Sequence, residues 1–580
     1  MLPRARCWMC FPLWVAALLL HAQAPLVAHS PQDAFPQLRD ITASTGIQFN
    51  HLATPEQRYI VESMSGGVAL IDYNHDGWPD IYFSNAPSVA MALEGKQAVG
   101  ALYRNNHDGT FTDVTTAAGV GTPCWAMGAV VGDYNDDGLQ DLLITCFGGL
   151  VLYRNNGDGT FTDVTAQAGL AGDKAWATGA SFGDYNGDGV PDLFVSHYVD
   201  LHLDDLPQFG SSKTCQYHGV AVQCGPRGLK GSSDTLYRNR NDGTFLDVSK
   251  AAGVNDPAGY FGLTAVWSDL DEDRKPYLFV ANDGEPNYLY RKDGMDHFSD
   301  AAEDAGVAVN ADGYEQANMG VAIGDYNHTG RLSLAVTHFS DEYTALFRND
   351  GGLSFADVSA ASGVAPPTRS YVGWGDAFVD LDNDGWTDLL LVNGHVYPQV
   401  NASGIGIKYR EPAVVLRNNH DGTFADFSQR VGEAVQTPQV SRGLAVGDLF
   451  NDGHMELVIE NLVGAPMILR PEGGASNHWV GVALRGAKGN RLALNAHVKV
   501  TAGDLVQTDE VRSGGSYLSQ SDLRLHFGLG AHDHIDKLEI FWPSGANEVL
   551  TSLSADRIYT VVEGENTETV RGASSRAETK

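Results

Sequence analysis

The stretch Gly132–Gly138, with the sequence GDYNDDG, recurs at Gly183–Gly189 as GDYNGDG. A second phrase, Leu-Tyr-Arg-Asn followed by an Asp-Gly-Thr turn and Phe-x-Asp-Val, comes after most copies and is clearest in residues 102–120, 152–170 and 236–254. Repetition of this kind means that the repeating unit decides the fold. The copies of the first phrase begin at Asp72, Asp133, Asp184, Asp269, Asp325, Asp380 and Asp448.

Each unit is predicted to contain four short strands. The strands are rich in Val, Leu, Phe and Tyr and are separated by Asn, Asp and Gly turns, whereas the 3.6-residue apolar period of a helical repeat is missing. Four antiparallel strands, repeated seven times, are typical of a seven-bladed β-propeller within an all-β chain. In the third unit the predicted strands are 180–185, 192–198, 235–238 and 244–248.

The seventh unit lacks its own fourth strand. After Asp448 the chain offers strands only at 456–460 and 467–470, while residues 38–47 near the N-terminus resemble the missing one. We therefore expect an N-terminal strand to close the last blade, so that the propeller spans residues 35–472. Closure would remove a sheet edge that otherwise invites aggregation.

The turn between the first two strands has the ligand spacing of a calcium loop. Oxygen ligands at positions 1, 3, 5, 7 and 9, with Gly at position 6, are the pattern of such loops, and Ca²⁺ is favoured over Mg²⁺ because Mg²⁺ demands a stricter octahedron. A structural role in stabilising the blades is expected. The four intact sets are Asp72, Asn74, Asp76 and Asp80; Asp133, Asn135, Asp137 and Asp141; Asp184, Asn186, Asp188 and Asp192; and Asp380, Asp382, Asp384 and Asp388.

Three further copies of this turn depart from the pattern, so metal binding there is left open. The copy at Asp269 has Arg274 where Gly belongs and Tyr277 at position 9, the copy at Asp325 continues with Thr329 and Ser333, and the copy at Asp448 has Phe450 at position 3.

These repeats resemble the FG-GAP/VCBS family of calcium-loop propellers, which includes integrin α chains, over residues 66–470. Residues 477–564 contain 512–522 (RSGGSYLSQSD), 526–530 (HFGLG) and 542–545 (WPSG), and are similar to the ASPIC/UnbV domain. The combination resembles the cartilage acidic protein family. The resemblance implies calcium only at the four intact sets, and a small β-rich C-terminal domain.

Charge and targeting signals indicate an exported protein. The chain of 580 residues has 72 acidic and 38 basic side chains, a net charge of −34, which disfavours nucleic acid and anionic membranes as partners. Residues 1–24 have the layout of a secretory signal peptide, with Arg4, Arg6 and the apolar run 11–20. No later segment is long and apolar enough for a membrane helix. Residues 566–580 are polar and are predicted to be a disordered tail.

Four cysteines remain once Cys7 and Cys10 leave with the signal peptide. An even number fits an oxidising compartment and permits three connectivities. The pairs Cys124–Cys146 and Cys215–Cys224 are favoured because each closes a short loop; free buried thiols remain the alternative.

The long insertions 86–101, 199–234 and 394–413 should gather on the propeller face opposite the metal loops. Polar residues at the ends of the second strands point to a ligand site there, unless they serve only to cap strands and join blades. They are Asn85, His197, Tyr198, Asn282, Asp283, His338, Asn393, His395 and Asn461.

The preferred function is non-catalytic recognition or adhesion, with an extracellular protein or a glycan as partner and a secreted, periplasmic or cell-surface location. The alternative is a lectin or a polysaccharide-active enzyme that uses the insertion-bearing face. The stretch around Ser513 and Ser516 is not a Gly-x-Ser-x-Gly elbow, and His-Glu-x-x-His and P-loop motifs are missing from the sequence.

Overall fold

The computed structural model describes residues 35–52, 56–294 and 296–565, and the backbone of 569–570. The predicted signal peptide, 1–24, lies outside these residues. Within the predicted tail, Thr569–Val570 forms a short strand paired with Tyr559 and Thr560, and the rest of the tail lies outside the described part. No helix in the described ranges is long and apolar enough to cross a membrane.

Residues 37–472 form seven four-stranded antiparallel sheets, numbered I to VII by their first strands, and the prediction of an all-β chain built from four-stranded units is confirmed. Sheet I contains the strands Val68–Ile71, Asp80–Phe83, Ala101–Asn105 and Phe111–Asp113. Sheet II contains Ala126–Gly132, Asp141–Cys146, Gly149–Asn155 and Phe161–Asp163. Sheet III contains Ala177–Gly183, Asp192–His197, Thr235–Asn239 and Phe245–Asp247. Sheet IV contains the strands Gly262–Ser268, Tyr277–Asn282, Tyr288–Lys292 and Phe298–Asp300. Sheet V contains Val321–Gly324, Ser333–Val336, Ala345–Asn349 and Phe355–Asp357. Sheet VI contains Gly373–Val379, Asp388–Asn393, Val414–Asn418 and Phe424–Asp426.

Sheet VII combines strands from the two ends of this region. Its strands Ser441–Gly447, Glu456–Asn461 and Met467–Glu472 are followed in space by Gln37–Asp40, which pairs antiparallel with Met467–Glu472. Leu38 lies opposite Pro471 in this pairing and is buried. The first described strand of the chain therefore belongs to the last sheet.

Most strand bounds differ from the prediction by one to three residues. In sheet III the first strand begins at Ala177 rather than at residue 180, because a β-bulge after Ala177 lets that residue pair with His197. A bulge adds a residue to one strand without ending the sheet. Alternation of apolar residues alone does not reveal it.

Short helices connect the strands. They are the one-turn helices Thr42–Thr45, Val89–Leu93, Thr115–Ala118, Ser249–Ala252, Ala302–Ala305, Ala365–Thr368, Val400–Ser403 and Glu433–Gln436, and the 3₁₀ turns Ile60–Ser63 and Lys213–Cys215. In the repeats, the helix ends on a glycine with positive φ, as at Gly119 (φ 77°), which explains the Ala-Gly of the second phrase.

The asparagine of Leu-Tyr-Arg-Asn joins each of five sheets to the sheet before it. Its side-chain N–H donates to the backbone carbonyl of the second residue of the preceding sheet's metal-type loop, at 2.7–2.8 Å. Sheet I is joined to sheet VII in the same way. The pairs are Asn105 with Leu449, Asn155 with Tyr73, Asn239 with Tyr134, Asn349 with Leu270 and Asn418 with Tyr326.

Residues 478–570 form two further four-stranded sheets. In spatial order, the first contains Leu525–Gly530, His478–Arg485, Arg557–Val562 and Thr569–Val570, and the second contains Leu505–Glu510, His497–Ala502, His534–Phe541 and Asn547–Ser554. One pair, His478–Arg485 with Arg557–Val562, is parallel. Apolar side chains of this C-terminal block, such as Val480, share a cluster with Val130 of sheet II and Phe182 of sheet III.

Residues 512–524, here called the axial segment, leave the C-terminal block and run among the first strands of all seven sheets. Its contacts to sheets I–IV are hydrogen bonds to Val68, Ala129, Ser181 and Thr264, and its contacts to sheets V–VII are hydrogen bonds to Val321, Asp376 and Val446. A sequence phrase assigned to the second domain thus contacts all seven sheets of residues 37–472.

Glycines of the first strands make room for the axial segment. A Cβ at Gly67 would lie 2.0 Å from the carbonyl oxygen of Leu518, and a Cβ at Gly128 would lie 2.5 Å from the same atom. Both distances are far below van der Waals contact. The close approach of two backbones therefore requires glycine at these positions.

We predict that Gly67→Ala lowers the free energy of unfolding by about 1–3 kcal/mol, as overpacking in a rigid interior does. Gly172→Ala is the control, since a Cβ there meets nothing within 4 Å. Denaturant unfolding of both variants measures the difference. Equal stability of the two variants would contradict the close fit of the axial segment.

Candidate metal loops

The turn between the first and second strands of each sheet, here loop I to loop VII, is held by its first carboxylate. In loop II, Asp133 accepts hydrogen bonds from the backbone N–H groups of Asp137 (3.1 Å) and Gly138 (2.8 Å). The corresponding Asp residues of loops I, III, V, VI and VII accept bonds from the same two positions. Position 1 therefore shapes the turn in addition to offering a ligand atom.

Position 9 carries a buried carboxylate that ties the loop to the third strand. Asp141 accepts from the backbone N–H of Asn155 at 2.7 Å, and Asp80, Asp192 and Asp388 bond the equivalent asparagines at 2.7–2.9 Å. In loop V the hydroxyl of Ser333 takes over this bond at 3.1 Å. Loop V thus keeps its architecture after losing a carboxylate.

Position 4 adopts a left-handed backbone conformation in every loop. Outside loop III, where Gly187 is present, the residue is polar, in line with the tolerance of Asn, Asp and His for this region. The residues are His75, Asp136, Gly187, Glu272, His328, Asn383 and Asn451, with φ between 53° and 79°.

Loop VI brings Asp380, Asp382 and Asp384 together, with one carboxylate oxygen of each within 4.8 Å of the others. Burial, and then the neighbouring carboxylates, raise the pKa of Asp382 to about 6 and that of Asp388 well above its usual range. The Arg417 guanidinium lies 3.0 Å from Asp382 and 3.6 Å from Asp384. This arginine therefore pairs with two of the four carboxylates in loop VI.

Loops II and III each have carboxylates at positions 1, 5 and 9, and none of these six forms an ion pair within the described ranges, whereas Asp136 at position 4 of loop II pairs with Arg491. Among the described residues, three carboxylates approach one another within 4.8 Å only in loop VI. Burial raises the pKa of Asp133 to about 6 and the pKa values of Asp141 and Asp192 well above the usual range. The buried Oδ1 atom of Asn135, at position 3, has no hydrogen-bond partner among the described residues. These oxygen donors fit a hard cation such as Ca²⁺.

Two of the degraded loops contain side-chain cations instead. In loop VII, Arg470 pairs with Asp452 and lies 3.2 Å from the fully buried Glu456, while its guanidinium stacks on Phe450 at 4.7 Å. In loop IV, Lys275 lies 2.8 Å from Asp273 and His497 lies 3.4 Å from Asp269.

Histidines outside the predicted ligand sets approach two of the intact loops. His107 Nε2 lies 2.9 Å from Asp76 and stacks on Trp78, and His420 Nε2 lies 2.9 Å from Asp384 and stacks on Trp386. The ligand spacing of the loops does not predict these two histidines, because they come from the turn after the third strand. The variation His-Asp-Gly against Gly-Asp-Gly in that turn is the signal that could have identified them.

The C-terminal block covers the face of the sheets that carries these loops. Arg491 lies 2.9 Å from Asp136, His526 Nε2 lies 2.6 Å from Asn383, and Arg524 donates to Asn451 at 2.6 Å. All three contacts involve position 4 of a loop. The C-terminal block therefore contacts loops II, VI and VII directly.

The predicted ligand-face residues lie at the other end of the first strands, where most are buried beneath the insertions. His338 bonds Tyr343 and Asn318, His197 bonds Asp173, and Tyr198 donates to Asp283. Asn282 and Asn393 donate to the carbonyls of Pro286 and Pro412. Asn461 donates to the carbonyl of Ala465. Asn85 and His395 accept hydrogen bonds from the backbone N–H groups of Leu52 and Tyr397.

Both favoured disulfides, Cys124–Cys146 and Cys215–Cys224, are present. The second closes the hairpin of Gln216–Tyr217 and Val220–Ala221 in the 199–234 insertion. Tyr217 at its tip packs against Phe339, His395 and Tyr397 of sheets V and VI. The insertion from sheet III therefore reaches across the face to the far side.

Comparison with known families assigns both parts of the chain. The family described as FG-GAP-like repeat matches residues 72–144, 133–195 and 380–459, and the family described as ASPIC and UnbV matches residues 486–568. The chain therefore contains FG-GAP-like repeats and an ASPIC and UnbV domain, as its sequence indicated.

Individual relatives are distant. Cartilage acidic protein 1 of Mus musculus is 25% identical over 335 residues, covering 55% of this chain and 47% of the relative, and that of Homo sapiens is 26% identical over 317 residues, covering 52% and 43%. The chain thus spans less than half the length of these relatives. A solved Agrocybe aegerita lectin that recognises non-reducing terminal N-acetylglucosamine has a TM-score of 0.35 and 16% identity, over 69% of this chain and 87% of that chain.

We predict that Arg470→Gln lowers the free energy of unfolding by about 3 kcal/mol, because it leaves Glu456 buried without its cation. The control is Arg348→Gln at the same register of sheet V, whose partner Asp350 and own side chain are both more than 40% exposed. That change should cost less than about 1 kcal/mol. Urea unfolding distinguishes them, and equal losses would show that Arg470 does not compensate loop VII.

Proposed function

We propose that this chain of FG-GAP-like repeats and an ASPIC and UnbV domain is an exported, calcium-binding protein with a non-catalytic role in recognition or adhesion. Its scaffold, in this proposal, is a closed seven-bladed propeller over residues 35–472, with residues 477–564 as a second domain. The support for closure is the pairing of Gln37–Asp40 with sheet VII and the bond from Asn105 of sheet I to Leu449 of sheet VII.

The observation that carries the calcium proposal is the contrast between loops II and VII. Loop II holds Asp133, Asp137 and Asp141 without an ion-pair partner in the described chain, whereas loop VII supplies Arg470 to its own carboxylates. Carboxylates crowded into one turn repel each other unless a positive charge is present. A bound Ca²⁺ would supply that charge in the four intact loops.

The loop residues hold the site in a defined shape. In loops I, II, III and VI, position 1 bonds the backbone of positions 5 and 6, position 9 bonds the third strand, and Gly at position 6 permits the turn. Asn74, Asn135 and Asn186 would turn their carbonyl oxygens to the ion. Each of these loops also accepts a hydrogen bond from an asparagine side chain of a neighbouring sheet or contacts the C-terminal block. An ion bound in the loop would therefore stabilise contacts beyond its own turn.

Export and recognition are supported by the disulfides, the acidic surface and the insertions. Disulfides persist mainly in oxidising compartments. The polar residues at the strand ends each make at least one hydrogen bond inside the protein and most are buried, which favours the exposed outer surface of the insertions as the contact surface for an extracellular protein or glycan. Variable loops on a rigid scaffold commonly carry binding functions.

We predict that EGTA lowers the melting temperature of the mature protein and that Ca²⁺ restores it. Asp384→Asn should remove one calcium equivalent, because it takes a carboxylate from loop VI. Thr329→Ala in the degraded loop V is the matched control and should leave the calcium content unchanged. Calorimetry with metal analysis measures both, and identical melting with and without calcium would refute the structural role.

For recognition, glycan arrays and extracellular protein arrays should yield binding that weakens in Cys215→Ser/Cys224→Ser, because the hairpin loses its closure. Melting of the sheets should change little, since their cores come from the strands. Cys124→Ser/Cys146→Ser, within sheet II, is the comparison. Undiminished binding by the first double variant would place the contact surface elsewhere.

A further inference from the structure

Asp376 in the first strand of sheet VI is a carboxylate at a position that is apolar in every other sheet. It lies four residues before Asp380, the first residue of loop VI. The residues at the same register in sheets I–V and VII are Val68, Ala129, Ala180, Ala265, Val321 and Leu444. A requirement of the repeat therefore does not explain this side chain.

The carboxylate of Asp376 is buried and lacks a hydrogen bond. The residue is 1% exposed, and neither side-chain oxygen has a hydrogen-bond partner among the described residues. Its backbone N–H donates to the Ser516 hydroxyl of the axial segment at 3.1 Å. A polar group buried in this state costs free energy unless a ligand or water satisfies it.

Asp376 lines a cavity of about 150 Å³ between sheets V–VII, the axial segment and the C-terminal block. The hydroxyl oxygen of Thr387, which also lines it, has no hydrogen-bond partner in the described chain. The cavity therefore contains oxygen ligands that nothing within the described protein uses.

The other charged groups that line the cavity have partners. Arg512 lies 2.7 Å from Asp509, and Arg524 lies 2.6 Å from Asp522. The second terminal nitrogen of Arg512 lies 3.8 Å from Glu510 and has no hydrogen-bond partner among the described residues. Glu510 also accepts bonds from Ser268 and Asn495. His526 bonds Asn383, and Asp380 bonds the backbone of loop VI. Among the carboxylates that line the cavity, Asp376 is thus the one without a hydrogen bond or an ion pair in the described chain.

We propose that this cavity binds a hydrated hard divalent cation of the Mg²⁺ type, with Asp376 as its single carboxylate ligand. Mg²⁺ dehydrates reluctantly, keeps several waters and is commonly held by one or two carboxylates. At ~30 Å³ per water, about 150 Å³ accommodates roughly five waters beside the carboxylate. The cavity adjoins loop VI through Asp380, but Asp376 is not one of that loop's ligand positions, and the dense ligand set of the loop suits a largely dehydrated ion.

The test uses the full mature protein saturated with Ca²⁺, with and without added Mg²⁺. Wild type should retain close to one equivalent of Mg²⁺ after gel filtration and melt at a higher temperature with Mg²⁺ present. Asp376→Val, which introduces the residue of sheet V at this register, and the isosteric Asp376→Asn should lose both effects. Asp384→Asn, which affects loop VI outside the cavity lining, should lose calcium and keep the response to Mg²⁺.

The sign of the stability change separates the alternatives. If Asp376→Val melts higher than wild type in Mg²⁺ and the two bind equal Mg²⁺, Asp376 is a buried acid without an ion and the proposal is wrong. Loss of Ca²⁺ instead of Mg²⁺ from Asp376→Val would also overturn it, because the residue would then belong to loop VI. If the intact loops bind no Ca²⁺, the comparison of Mg²⁺ binding between wild type and Asp376→Val still tests this proposal independently of the proposed calcium function.

Discussion

Five asparagine side chains fix the spacing between consecutive sheets. Each donates to a loop carbonyl of the preceding sheet, within a narrow range of 2.7–2.8 Å, so the position of one sheet follows from the loop of another. Sheets IV and VII lack this asparagine: Lys292 and Pro471 occupy its place. The loops of these two sheets also depart from the calcium pattern, but loop V departs from it as well while sheet V keeps Asn349.

The C-terminal block adds a second constraint. The loops lie beneath it, and the axial segment bonds the first strands of all seven sheets. The conformation of loops II, VI and VII and the docking of the C-terminal block are therefore linked. Asp136, Asn383 and Asn451 are loop residues that also contact the block. The surroundings of these loops therefore include residues of the C-terminal block as well as their own sheets.

Local features of the fold could be predicted from the sequence, and contacts between distant residues mostly could not. The repeat phrase specifies strands and turns because Asp, Asn and Gly act within a few residues of themselves. The short sequence separation within each pair also predicted the disulfides Cys124–Cys146 and Cys215–Cys224. The path of residues 512–524 could not be inferred, since Ser and Gly there resemble an ordinary turn. Asp376 escaped notice for a similar reason: its environment comes from three sheets and the axial segment.

The axial segment has a consequence for biosynthesis. Gln37–Asp40 emerge from the ribosome long before their partner strand, and residues 512–524 emerge after all seven sheets. Until then the N–H groups of Leu70 and Val446 lack the acceptors Gln520 and Ser521, and unpaired backbone groups of this kind destabilise a buried surface. Folding cannot finish during translation of the repeats. A chain that lacks the axial segment would leave these N–H groups without their acceptors and would be less stable for that reason.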